Sequence, residues 1–176
     1  MSHPTVTGKK GRKFETHAAA VVAFIINKEE RFLMLSSPKH PNQWEPVDGA
    51  YDGGETILEG MLREIREEAG EQVQVRPISA VHTFNFHYDE TIPHMISIVF
   101  LFEYLGGEVI PGDDMAGSEV KWMSVEDINS GDYQIIVPSE QNWVYERAVK
   151  FYRLLKDETA INLQPSFSRT TNKYGD

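Results

Sequence analysis

Apolar residues along the chain fall into blocks of two kinds, unbroken or alternating runs and runs spaced by three and four. Ala18–Ile26 is a dense apolar run with two Val and two Ile, and it predicts a buried strand. Asn27-Lys28-Glu29-Glu30 reads as a turn, and Arg31–Leu35 as a second strand forming a hairpin with the first. Ser36–Trp44 contains two prolines and reads as a loop, followed by the glycine-rich stretch Gly49–Gly54. Thr56 to Ala69 carries the clearest helical pattern. Thr56 suits the N-cap, Gly70 the stop, and Leu58, Met61, Leu62, Ile65 and Ala69 make one stripe. Val73–Phe86 and Met95–Tyr104 read as extended, Glu119–Met123 as a short strand and Val125–Ile128 as a short helix. Glu140–Leu155 reads as a last amphipathic helix through Val144, Ala148, Phe151 and Leu155. Strands on both sides of one helix, with a second helix at the end, predict an α/β (α+β) fold with a mixed sheet packed between helices.

At 176 residues and 40% hydrophobic content, the chain fits one domain. Residues 1–14 hold Lys9, Lys10, Arg12 and Lys13 without an acid and predict a basic flexible arm. Residues 15–157 form the expected domain, and 158–176 have the composition of a polar tail. Acids outnumber bases 27 to 17, giving a net charge of −10. That balance disfavours bulk nucleic acid and anionic membranes as partners, because neutralising phosphates needs a basic surplus. Cys is absent, so disulfides, thiolate metal sites and Cys nucleophiles are excluded. No apolar run reaches the ~18 residues of a membrane span, and the polar start lacks a signal-peptide core. The expected location is cytoplasmic.

Charge changes the picture most in the first helix. Glu64, Glu67, Glu68 and Glu71 fall within an arc of roughly 100° next to the apolar stripe. Like charges at this spacing repel, and a helix C-terminus disfavours anions. A hard divalent cation such as Mg²⁺ would offset both penalties. A solvated face on which Arg63 and Arg66 pair with these acids is the competing reading.

The residues before the helix decide between them. Gly49 is followed after five residues by Glu55, and seven residues later by Arg63-Glu64-Ile65-Arg66-Glu67-Glu68-Ala69-Gly70. This resembles the Nudix box, and Trp44, Gly54-Glu55 and Glu119-Val120-Lys121-Trp122 are similar to further features of that family. Two positions depart from it. Glu71 stands where an aliphatic is usual, and Val47-Asp48-Gly49 replaces Pro-Gly-Gly. The box holds seven acids and two bases, half of the net charge.

The resemblance implies a Nudix-type α/β/α sandwich around a central mixed β-sheet. It also implies hydrolysis of a phosphoanhydride bond in a nucleoside diphosphate linked to a moiety X, using Mg²⁺ or Mn²⁺. Carried over residue by residue, Glu64, Glu67 and Glu68 become metal ligands, with the Gly49 carbonyl as a further one. Glu55 pairs with Arg63 to orient the loop, or alternatively reaches a metal. The general base is Glu67 within the box, or a later acid among Glu119, Asp113 and Asp114. Small nucleotides of the ADP-ribose, nucleotide-sugar or (d)NTP type are the implied substrates, and a homodimer is an open expectation. A non-catalytic nucleotide-binding module is the alternative. The isopentenyl-diphosphate isomerase branch, which uses a Cys, is excluded by composition. Outside the box, Phe84, Phe86 and Tyr88 share one strand face, either packing against a helix or walling a pocket. His82, His87 and His94 match no common zinc spacing. Lys39 and His40 are candidate phosphate contacts.

Overall fold

The computed structural model describes residues 4–38 and 40–156. Lys39 and the segment 158–176 lie outside the described residues, as do residues 1–3 of the predicted arm. The strands are β1 (Thr5–Thr7), β2 (Lys13–Glu15), β3 (Ala18–Ile26), β4 (Phe32–Ser37), β5 (His40–Glu45), β6 (Val47–Ala50), β7 (Gln74–Phe86), β8 (Met95–Gly106), β9 (Val120–Met123) and β10 (Gln134–Ile135). The helices are α1 (Ile57–Glu64), α2 (Val125–Asn129) and α3 (Trp143–Leu155).

Strand β3 is the spine of an eight-stranded sheet ordered β10-β5-β4-β3-β8-β7, with β6 paired to β3 and β9 to β4. The β3/β8 and β5/β10 pairs are parallel and the others antiparallel. Both faces of β3 are buried, which explains its unbroken apolar sequence. Val22, Phe24 and Ile26 point into one core with Val144, Tyr145 and Ala148 of α3. Val21, Ala23 and Ile25 point into the other with Met61, Ile65 and Ala69. The Tyr145 ring stacks on Phe24 at 4.1 Å and meets Phe32 edge-on at 5.0 Å. Its hydroxyl donates to the Val137 carbonyl at 2.7 Å, so the polar end of this buried ring is satisfied.

Three local expectations change. The predicted hairpin turns through Asn27, whose side chain accepts from the Glu29 and Arg31 amides. Only Ile26 and Phe32 stay in register, however. Beyond them β4 diverges to pair with β5 and β9, and β6 takes the vacated edge of β3 at Ala20–Ala23. The expected loop at Ser36–Trp44 contains most of β5. Its prolines fall next to an irregularity at Ser36/Ser37 and not inside a continuous ladder, and the buried Trp44 packs edge-on against Tyr133 at 6.0 Å. Within the basic segment, β1 and β2 pair as an exposed antiparallel ribbon, with Val6 opposite Phe14 and the Arg12 guanidinium 5.0 Å from the Phe14 ring.

Candidate active site

The loop 51–56 and α1 present the carboxylates. Thr56 caps the helix in a reciprocal box: its hydroxyl accepts from the Glu59 amide, and the Glu59 carboxylate accepts from the Thr56 amide. Met61, Ile65 and Ala69 bury the inner face. After Glu64 the helix widens into a π-turn, Ile65–Ala69, which carries Glu67 and Glu68. Such widened turns are frequent at functional sites. Gly70 then ends the helix at φ +114°.

The end of the helix lies against the outer edge of β6. The Asp48 amide donates to Glu68 Oε2 at 3.1 Å. Gly49 sits so close to Glu64 that a Cβ there would overlap the carboxylate. Glycine at position 49 thus lets the backbone lie directly beside the Glu64 carboxylate, which a side chain there would have to push aside. Asp48 pairs with Val22 as an ordinary strand residue and is not among the residues with positive φ. Replacing a glycine there therefore strains nothing.

Arg63 is the hub. Its Nη2 donates to Glu55 Oε1 (2.9 Å) and to the Ala50 carbonyl (3.0 Å), and its Nε to Glu55 Oε2 (3.3 Å). Its Nη1 spans Glu64 Oε1 (2.7 Å) and Glu67 Oε2 (3.0 Å). The Glu55 carboxyl is held below its ordinary value, first by Arg63 and then by the Asp52 amide.

Burial sets the other acids. It pushes Glu68 up to about 10, with the nearby Asp48 charge next in importance. Glu64 is raised because burial, together with Glu67 and Asp114, outweighs the pull of Arg63. Burial pushes Asp48 well above its usual range, and Glu45, Glu64 and Asp114 add to this. Glu45 rises to about 6 through burial and then Asp114.

Glu45, Asp48, Glu64, Glu68 and Asp114 thus share one electrostatic neighbourhood. The donor set is carboxylate and backbone oxygen, which suits a hard divalent cation. Among the described residues no three His, Asp or Glu side chains are already gathered to hold a metal. A cation taking Glu64 and Glu67 must draw their oxygens from Arg63.

Of the later acids, Asp114 joins this field, whereas Glu119 does not. The Glu119 backbone is clamped to Ser36, with the Glu119 amide donating to Ser36 Oγ at 2.8 Å and the Ser36 amide to the Glu119 carbonyl at 2.9 Å. Its exposed carboxylate makes no ion pair among the described residues. Glu71 is exposed and lines a cavity of about 520 Å³ with Arg66, Glu67 and Asp113. The row of Phe84, Phe86 and Tyr88, with centroids 6.0 and 6.4 Å apart, lies on the α3 face of the sheet, opposite α1. His82 joins that row. It faces Trp143 at 5.0 Å and shares a 2.9 Å hydrogen bond with Gln141. Glu45 and Asp48 are the members that motif reasoning passed over. Asp48 was visible only as a departure from the box, and Glu45 gave no signal beyond its place beside Trp44.

A curled mixed sheet between helices carries the carboxylate-bearing helix pinned to one strand, and the domain family and relatives that match the chain mark it as a hydrolase acting on pyrophosphate bonds. The NUDIX domain model matches residues 16–144, and the chain belongs to that family. It is 29% identical over 129 residues to an ADP-ribose pyrophosphatase of Methanocaldococcus jannaschii, a match covering 72% of this chain and 75% of that protein. An NAD-capped RNA hydrolase of Pseudomonas aeruginosa is 26% identical over 103 residues, covering 58% of this chain but only 34% of that protein. The crystal structure of an ADP-ribose pyrophosphatase from Streptococcus suis superposes with a TM-score of 0.62 at 19% identity, covering 78% of this chain and 93% of the other. This last likeness is one of fold.

Proposed function

We propose that the chain is a Mg²⁺-dependent pyrophosphohydrolase, with Mn²⁺ able to substitute. Its substrate is a nucleoside diphosphate linked to X, of the ADP-ribose, nucleotide-sugar or (d)NTP type. The observation that carries this reading is that one helix end brings Glu64 beside Gly49 of β6, Glu68 onto the Asp48 amide of the same strand, and Glu67 next to Glu64 through a shared Arg63 nitrogen. In this reading the Gly49 carbonyl and these three carboxylates hold the cation. When bound, it supplies charge neutralisation for the diphosphate and acidifies a water.

The chain's own residues do the rest. Glu67 has the most exposed of the three carboxylates, at 41%, and takes the proton of the attacking water. Asp114, whose charge acts on Glu64 and Glu68, is the later acid assigned to share that work in this reading, in preference to Glu119. Arg63 and Glu55 hold the loop 51–56 against the helix while Glu64 and Glu67 turn toward the cation. We place the substrates among small nucleotides, the location in the cytoplasm and the assembly as a homodimer. The net charge of −10 supports the first, and the exposed Val6 and Phe14 support the last.

A panel of ADP-ribose, NAD, a nucleotide sugar and ATP, each with Mg²⁺ or Mn²⁺, tests the reading. The expected result is metal-dependent release of a nucleoside monophosphate from at least one of them. The hold of Arg63 on Glu64 and Glu67 favours a second reading, a nucleotide-binding module. Binding without turnover across the whole panel would establish it.

A further inference from the structure

The end of α1 is held from two sides, and the second side belongs to no motif. The carbonyls of Glu68 and Ala69 accept from the amides of Gly112 (3.2 Å) and Ile110 (2.9 Å). These donors lie on the segment 107–112, a strap crossing the helix end between β8 and the turn Asp113–Met115. The strap is anchored at both ends. The Tyr104 hydroxyl bonds the Gly107 carbonyl, and Met115 is buried in the α1-side core.

Glycines stand where strap and helix touch. Gly70, at φ +114°, has no room for a side chain, since a Cβ would lie 2.9 Å from the Ile110 carbonyl oxygen. Gly112 is the more informative residue. Its φ of −129° is open to any residue, yet a Cβ there would lie 2.7 Å from the Glu67 carbonyl oxygen. Glycine at 112 is therefore required by contact with Glu67 and not by backbone conformation. This end of the helix also works against itself. Three glutamates crowd a C-terminus, and the widened turn leaves carbonyls that need outside donors.

We propose that the strap 107–112 sets the position of Glu67 and Glu68, and that Gly112 and Ile110 are positioning residues for the hydrolysis. The proposal rests on the reading of these glutamates as active-site carboxylates. A methyl group at 112 pushes on the Glu67 carbonyl and turns the carboxylates together. Misplacement of about 1 Å in such a constellation costs on the order of 100-fold in rate.

Gly112→Ala is the direct test, read by Mn²⁺ affinity from electron paramagnetic resonance without substrate and by kcat and KM separately. We expect weaker Mn²⁺ binding and kcat lower by roughly 10- to 100-fold, with KM within about threefold of wild type. A folded Gly112→Ala protein with unchanged Mn²⁺ affinity and kcat overturns the proposal. Should the variant fail to fold, amide hydrogen exchange of the wild type decides. Mg²⁺ should slow exchange at Gly112 and Ile110 together with residues 64–69. Protection of 64–69 alone overturns the coupling. Because the metal and exchange readouts do not need turnover, they separate failure of the strap from failure of the hydrolytic reading.

Discussion

Replacing Glu68 with Gln asks whether the acids proposed as metal ligands strain the fold in the absence of a cation. Glu68 is 7% exposed, and its Oε2 accepts from the Asp48 amide at 3.1 Å. Burial, and then the Asp48 charge, lift its carboxyl from an ordinary 4.5 to about 10. The folded value lies above the unfolded one. This group's contribution to stability is therefore complete below about pH 4.5 and is lost as pH rises toward about 10. Within that window each pH unit costs about 1.4 kcal/mol, so at about pH 7.5 the cost approaches 4 kcal/mol. Asp48 and Glu64 share the same field, so we take roughly 2–4 kcal/mol for Glu68 alone.

Gln keeps the shape, still offers an oxygen to the Asp48 amide, and does not titrate. In EDTA near neutral pH, Glu68→Gln should melt above wild type by roughly 4–16 °C, at about 2–4 °C per kcal/mol for a chain of this size. The gain should shrink as pH falls toward about 5. Saturating Mg²⁺ should narrow this lead. Wild type gains about 2.7 kcal/mol at 100 times Kd, and the variant gains much less. Calorimetry over a pH series with and without Mg²⁺ measures all of this. A variant that melts at or below wild type in EDTA at every pH would refute the reasoning, because Glu68 would then be a well-partnered carboxylate.

Other substitutions separate holding the loop from holding the cation. Arg63→Gln should tighten Mn²⁺ binding, since Nη1 no longer competes for Glu64 and Glu67. It should also lower kcat, since Glu55 and the Ala50 carbonyl lose their donor; calorimetric titration and steady-state kinetics read the two effects. Gly49→Ala drives a methyl group into the Glu64 carboxylate and should abolish the Mg²⁺-induced rise in melting temperature. Thr56→Ala removes the cap acceptor for the Glu59 amide and should cost about 1 kcal/mol, or about 2–4 °C, with Mn²⁺ affinity retained.

The helix at Thr56–Ala69 was legible because every level of the sequence agreed on it: cap, stripe, stop and box spacing. Strand β3 was legible because burial on both faces leaves an unbroken apolar run. β5 was not, since its prolines look like loop and its partner β4 had been paired in expectation with β3. The carboxylates of the site were legible as a motif, but their surroundings were not. Asp48 counted only as a lost glycine, whereas its amide holds Glu68. Asp114 and Glu119 stood level and both are exposed, but only the Asp114 charge acts on Glu64 and Glu68. Gly112 lies about 40 residues beyond the helix it touches, and no local pattern marks such a contact.

The central claim is that water activated at these carboxylates cleaves a diphosphate. It is tested most directly by incubating wild type and Glu67→Gln with Mg²⁺ and ADP-ribose, NAD and ATP in ¹⁸O-water. Phosphorus NMR and mass spectrometry identify the products. The account predicts a nucleoside monophosphate from at least one substrate, one ¹⁸O per cleaved bond, and loss of turnover in Glu67→Gln with substrate binding retained. Cleavage that persists undiminished in Glu67→Gln, or tight binding by wild type with no labelled product from any substrate, would contradict it.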